Sequence, residues 1–242
     1  MVSKGNRVLM KSVLRSVVVF LLIVGVAGIA RGTVGASLSI NDGVDPVITI
    51  NDNGPGDLNP TFGVLTLSTN VGVWSLTVST GATKPALGSS TNPVMDLVIQ
   101  ASSTGAGSLT YTFSDAGFTH APATLNSTVS GHVISGAPTT IDYSVFGNAS
   151  NIVGALTTQL TTTGTVPLPI LTSNSGPLGF STPFSLSQVV QLTASGASAV
   201  SVDASLNVTS VPEPSSMALT FLGLAFLVTG LVRRHRSLHS VS

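Results

Sequence analysis

From Ser37 to Val208, apolar and polar residues alternate with a period of two, and almost no stretch repeats at helical spacing. Successive side chains of a strand point to opposite faces, so this pattern predicts strands with one dry and one wet side. In residues 200–208, Val200, Val202, Ala204, Leu206 and Val208 oppose Ser201, Asp203, Ser205 and Asn207. In residues 73–79, Trp74, Leu76 and Val78 share one face against Ser75 and Thr77. In residues 109–115, Leu109, Tyr111 and Phe113 alternate with Thr110, Thr112 and Ser114. Further strands are expected at residues 47–51, 63–68, 94–102, 125–134, 141–146, 156–163 and 184–193. Turn clusters such as Asn53-Gly54-Pro55-Gly56, Gly105-Ala106-Gly107 and Ser195-Gly196 separate them. About ten such strands describe an all-β fold, an antiparallel β-sandwich over residues 37–210. A parallel β-helix would need a fixed-period repeat, and none is visible. Residues 161–169 are a loop candidate, and no linker is long enough to split this region in two.

Charge separates this middle region from both ends. Of nine Lys and Arg, five (Lys4, Arg7, Lys11, Arg15, Arg31) precede it and three (Arg233, Arg234, Arg236) follow it. Only Lys84 lies inside, against eight aspartates, so residues 37–210 carry a net −7. Such a region repels phosphate backbones, which argues against nucleic acid as a partner. Cysteine is absent, so neither disulfides nor thiolate metal sites are available.

Titratable groups suited to catalysis are few. His120 stands in a Gly-Phe-Thr-His-Ala-Pro turn and His132 in a strand pattern, and neither fits a His-Glu-x-x-His spacing. No Gly-x-Ser-x-Gly elbow occurs. A secreted hydrolase would need His120 or His132 as base, oriented by an aspartate such as Asp115 or Asp142. The preferred reading is a surface-loop histidine and a strand-face histidine, with no catalytic residue.

Two Asp/Asn/Gly clusters stand out: Asn41-Asp42-Gly43-Val44-Asp45, and Asn51-Asp52-Asn53-Gly54-Pro55-Gly56-Asp57. Their carboxylates suit a calcium ion, with Asp52 and Asp57 as candidate ligands, but no glutamate closes an EF-hand loop. The same residues are the default choice for tight turns, and that reading is preferred. The threonine runs Thr157-Thr158 and Thr161-Thr162-Thr163 suggest a hydroxyl face, a weak sign of an ice- or sugar-binding module.

Both ends read as addresses. Residues 1–16 carry four cations and no acid, residues 17–30 are apolar or glycine, and Val34-Gly35-Ala36 places small residues before Ser37. This is the order of a secretory signal peptide over residues 1–36, cut by signal peptidase between Ala36 and Ser37. A fourteen-residue apolar core is short for a bilayer anchor. At the other end, Val211-Pro212-Glu213-Pro214 precedes eighteen uncharged residues, 215–232, and then Arg233-Arg234-His235-Arg236. As a helix, residues 215–232 would span about 27 Å, enough for one transmembrane crossing. The arginines, as a stop-transfer signal, favour a cytoplasmic C-terminus. Pro212 and Pro214 keep the preceding segment extended, a form a protease accepts.

On Val211-Pro212-Glu213-Pro214-Ser215, the apolar run with Gly223 and Gly230, and Arg233-Arg234, residues 211–236 resemble the bacterial PEP-CTERM sorting signal. That signal is also catalogued as the ice-binding protein C-terminal domain. The resemblance implies that the chain is the substrate of an exosortase, a membrane transpeptidase of exopolysaccharide-producing Gram-negative bacteria. It implies an inner-membrane-tethered precursor, then a cell-surface or extracellular-matrix product. The expected role is non-enzymatic, in association with exopolysaccharide or biofilm.

Overall fold

A computed structural model describes residues 35–119 and 123–210. Residues 1–34, His120 and the sorting signal at 211–236 lie outside the described residues. Among the described residues, twelve strands form two six-stranded antiparallel sheets. Sheet A runs in the order β2 (Ile48–Asn51), β1 (Ser37–Asn41), β6 (Gly107–Phe118), β11 (Phe184–Ala194), β8 (Thr139–Asn148) and β9 (Thr158–Pro167). Sheet B runs in the order β10 (Ile170–Leu178), β7 (Ala123–Gly136), β12 (Ser198–Ser210), β5 (Val94–Ser103), β4 (Trp74–Ala82) and β3 (Val64–Val71).

The dry faces meet in one core. Leu38, Ile40, Leu109, Tyr111, Phe113, Ile141, Tyr143, Val190 and Leu192 come from sheet A, and Leu65, Trp74, Leu76, Met95, Leu97, Val129, Val200 and Val202 from sheet B. Burying a large apolar side chain contributes about 1.5–3 kcal/mol, so this core drives the association of the sheets. Hydroxyls cross it as well. Ser79 of β4 donates to the Tyr111 hydroxyl at 3.3 Å, and Tyr143 of β8 reaches the Ser205 carbonyl of β12 at 3.2 Å. Thr139 pairs with Ser198, and Ser127 with Thr161, each at 2.9 Å.

The all-β, two-sheet architecture matches the expectation, with four corrections. Strands β1 and β10 were not anticipated. Residues 161–167 belong to β9 rather than to a loop. As an edge strand, β9 tolerates Pro167 and the irregular register against β8. Val78 faces outward and is 44% exposed, because a bulge between Leu76 and Val78 reverses the alternation. The threonine run at 161–163 is not one face either. Thr161 turns inward to Ser127 while Thr162 bonds Ser144 at 3.0 Å.

The Asp/Asn/Gly clusters act as turn and edge fittings. Asp42 Oδ1 accepts the N–H groups of Val44 and Asp45 at 3.0 and 2.8 Å, and Asp45 Oδ2 accepts that of Gly72 at 2.9 Å. Those backbone bonds, Asp45's first and then Val44's, hold the Asp42 carboxyl below its usual value. Asp52 Oδ2 accepts Gly63 N–H at 2.9 Å and its Oδ1 accepts the Asn53 amide at 3.0 Å. Asp57 Oδ2 accepts Asn53 N–H at 3.0 Å, and its Oδ1 accepts Asn59 N–H at 3.0 Å and Thr66 N–H at 2.9 Å. Leu58 N–H then donates to Thr66 O at 2.9 Å. The loop therefore covers part of the open edge of β3, where unpaired backbone would otherwise invite another strand.

Candidate functional site

Strand register makes the outer face of sheet B a ladder of polar side chains. One rung runs Ser173, Thr128, Ser205 and Asp96 from β10 through β7 and β12 to β5. The next runs Leu171, Ser130, Asp203 and Val98, continuing to Thr80 and Thr66 on β4 and β3. A third places Ser175, Asn126 and Asn207 side by side. On the three central strands these residues are outward for a local reason: they alternate with inward-facing residues of their own strand, as Asn126 does between Leu125 and Ser127, whereas on β10 the inward positions Thr172 and Asn174 are only half-buried.

Neighbours on the ladder bond one another. Thr128 and Ser173 are 2.9 Å apart, and the Asn126 amide donates to Asn207 Oδ1 and Thr209 Oγ1, both at 3.3 Å. Asp96 and Asp203 stand on adjacent strands, two residues off direct register and so on neighbouring rungs, near the middle of the face. Burial first, then the charge of Asp203, pushes the Asp96 carboxyl up to about 6. Tyr143 of β8 meets β12 from the core side through the Ser205 carbonyl, and burial first, then the charge of Asp96, raises its phenol above the ordinary range.

No Phe, Tyr or Trp of the described strands projects from this face. Trp74, Tyr111, Tyr143, Phe113, Phe118 and Phe184 are all core residues. Apart from Leu171, which is 78% exposed, and Val98, what the face offers is hydroxyl, amide and carboxyl groups, which suit a flat ligand rich in hydrogen-bonding groups. At the end of the sandwich, a pocket of about 300 Å³ between Ser102, Ser135, Gly136 and Ala199 is lined by small residues without a titratable group.

The residues singled out in the sequence are dispersed. His132 is exposed on the outer face of sheet B, opposite Ser201. Asp142 projects from the outer face of sheet A, where Ser144 Oγ donates to it at 3.2 Å. Asp115 is buried at 2% exposure and bonded to Lys84 and Thr83. His132 and Asp142 are thus on opposite sides of the sandwich, and no base–aspartate pair forms between them. Among the described residues, no three His, Asp or Glu side chains gather as a metal-binding group. Ala36 and Ser37, the two residues at the expected signal cleavage point, are buried at 2% and 6%, Ser37 as the first residue of β1.

The Asp96–Asp203 pair escaped the sequence reading. Each carboxylate occupies a polar position in an alternating strand, which is the ordinary pattern of a wet face. Only the pairing of β5 with β12 brings them together.

No protein-family model and no curated protein matches this chain. Among solved structures, TmCBM61 in complex with beta-1,4-galactotriose is similar at 8% identity over 55% of this chain and 86% of that one, with a TM-score of 0.32. The CBM22-1 xylan-binding domain of Paenibacillus barcinonensis Xyn10C is 13% identical over 62% and 88%, with a TM-score of 0.31. The K1 cleaved adhesin domain of Lys-gingipain from Porphyromonas gingivalis is 11% identical over 61% and 98%, with a TM-score of 0.32. Likenesses of this size carry no argument about what the present chain binds.

Proposed function

We propose that this chain is an exported, non-enzymatic surface or extracellular-matrix protein, with the outer face of sheet B lying against an exopolysaccharide. The observation that carries the reading is the ladder of Ser, Thr and Asn side chains across β10, β7 and β12. A polysaccharide presents hydroxyls at regular spacing, and the ladder offers both donors and acceptors to meet them. The net −7 of residues 37–210 favours neutral or cationic polymers over sulfated or uronic ones.

Delivery follows from the two ends. Signal peptidase releases the leader at Ala36-Ser37, the helix at 215–232 tethers the precursor in the inner membrane, and an exosortase reads Val211, Pro212, Glu213 and Pro214. The product then reaches the cell surface or matrix. The resemblance at 211–236 supports this route, and the composition of the middle region suits it.

Retention of the purified protein on the host's own polysaccharide tests the reading. Binding should weaken when Thr128 and Ser205 are both changed to Val, which removes hydroxyls from one rung. No retention by the unaltered protein, together with no polysaccharide or biofilm change on deletion, defeats the proposal.

A further inference from the structure

Lys84 is the only lysine or arginine between Arg31 and Arg233, and it is not spent on the surface. It lies just past β4, after Thr83, on a segment fixed by Thr83 N–H donating to Gly63 O and Leu87 N–H donating to Thr83 O, both at 2.8 Å. Its Nζ lies 2.7 Å from Asp115 Oδ2 on β6, with side-chain exposures of 20% and 2%. The Ala116 carbonyl touches the same nitrogen, and the Phe118 ring centroid lies 4.3 Å beneath it. Taking an ion pair out of water costs more than a surface pair returns, so this is a costly place for a charge pair. Moving one proton from Nζ to Oδ2 turns the pair into a neutral amine beside a neutral acid. Burial is the largest influence on Asp115 and raises its carboxyl, against Lys84, Thr83 and Ala116, which lower it.

We propose that Lys84 and Asp115 condense into an intramolecular amide that staples the two sheets together. An amine held at hydrogen-bond distance from one carboxyl oxygen sits next to the carboxyl carbon. Fixed neighbours of this kind reach effective concentrations of roughly 10⁵–10⁸ M when well oriented. The surrounding groups match the needs of such a step. Ala116 N–H donates to Asp115 Oδ1 at 2.7 Å, where negative charge develops as the amine adds. The Thr83 hydroxyl donates to Oδ2 at 2.8 Å and so assists that oxygen as it leaves, while the second amine proton passes to it from Nζ, 2.7 Å away. The Nζ–Cγ bond forms, the Cγ–Oδ2 bond breaks, and Oδ2 leaves with both protons as water. Nothing is oxidised or reduced, and no co-reactant is needed.

The amide would tie the end of β4 in sheet B to β6 in sheet A. In a chain without cysteine it would supply the covalent restraint that exported domains otherwise draw from disulfides.

Peptide mass spectrometry on the purified exported protein tests the proposal. Chymotrypsin is the protease to use, because the described region offers trypsin only Lys84, which precedes a proline. The expected result is a pair of peptides, one holding Lys84 and the other Asp115, that stay joined after boiling in denaturant. Their mass should be the sum of the two less one water. Lys84→Arg keeps the ion pair but carries no primary amine, so its two peptides should separate at full mass. Thr83→Val should leave part of the protein unlinked. Separate, full-mass peptides from the unaltered protein overturn the proposal, and Lys84 and Asp115 are then an ion pair only.

Discussion

Asp96 of β5 and Asp203 of β12 lie on the same face of neighbouring strands, two residues off direct register, and the charge of Asp203 opposes the ionisation of Asp96. Folding therefore raises the Asp96 carboxyl from 3.8 to about 6, with desolvation as the larger cause. A folded acid with a raised pKa binds its proton more tightly than the unfolded chain does. The resulting stabilisation is complete below about pH 4 and is lost as pH rises through about 6.

Asp203→Asn removes the like charge, so melting at pH 7 should rise and its dependence between pH 4 and 6 should flatten. Solvent screens this half-buried pair, so the gain should stay below about 1 kcal/mol, within roughly 2–4 °C of melting temperature. Circular dichroism melts across that pH range provide the check. A variant with the parent's slope would refute the coupling.

Gly81→Ala should destabilise the sandwich. A Cβ at this position would stand 2.7–2.9 Å from three atoms of the Phe113 ring, which is fully buried. Overpacking of this kind costs about 1–3 kcal/mol. Urea denaturation should show an earlier midpoint, and an unchanged one would mean that the ring yields freely.

Tyr143→Phe keeps the ring and removes a hydroxyl that lies 2.9 Å from Gln188 Oε1 and 3.2 Å from Ser205 O. The buried Gln188 then loses its side-chain contact, since its Nε2 has no partner among the described residues. The expected loss is about 1–3 kcal/mol in chemical denaturation. Equal stability would show that this hydroxyl does little to join the sheets.

Asp57→Ala exposes the backbone N–H of Thr66 on β3. Stability should fall by about 1 kcal/mol, and the protein should begin to associate at high concentration through the opened edge. Light scattering against concentration reads the second effect directly. A variant as monodisperse as its parent would show that the loop covers the edge without Asp57.

Glu213→Ala, in a host with an exosortase, should leave an uncleaved, membrane-bound precursor. Fractionation and immunoblotting distinguish it from processed protein. Normal release of the variant would tell against Glu213 as part of the sorting motif.

Local periodicity was enough to place ten of the strands and most of their faces, because side-chain alternation is a property of a single strand. Strand β1 is five residues long and β10, with Thr172 and Asn174 in its alternating series, shows a weak apolar face, so neither announces itself. Val78 changes face through a bulge, which depends on the partner strand rather than on its own neighbours. The Asp/Asn/Gly cluster suggests tight turns in sequence, but that Asp57 covers the edge of β3 is visible only once the loop folds back on Thr66. The charge pattern alone shows that Lys84 is the single interior cation. That it meets Asp115, 31 positions away, and that Asp96 meets Asp203, follows from sheet order. Alternation says which side of a strand a residue occupies. Which residue stands beside it is decided by strand pairing and sheet packing, where the free energy of burying a shared core selects one register.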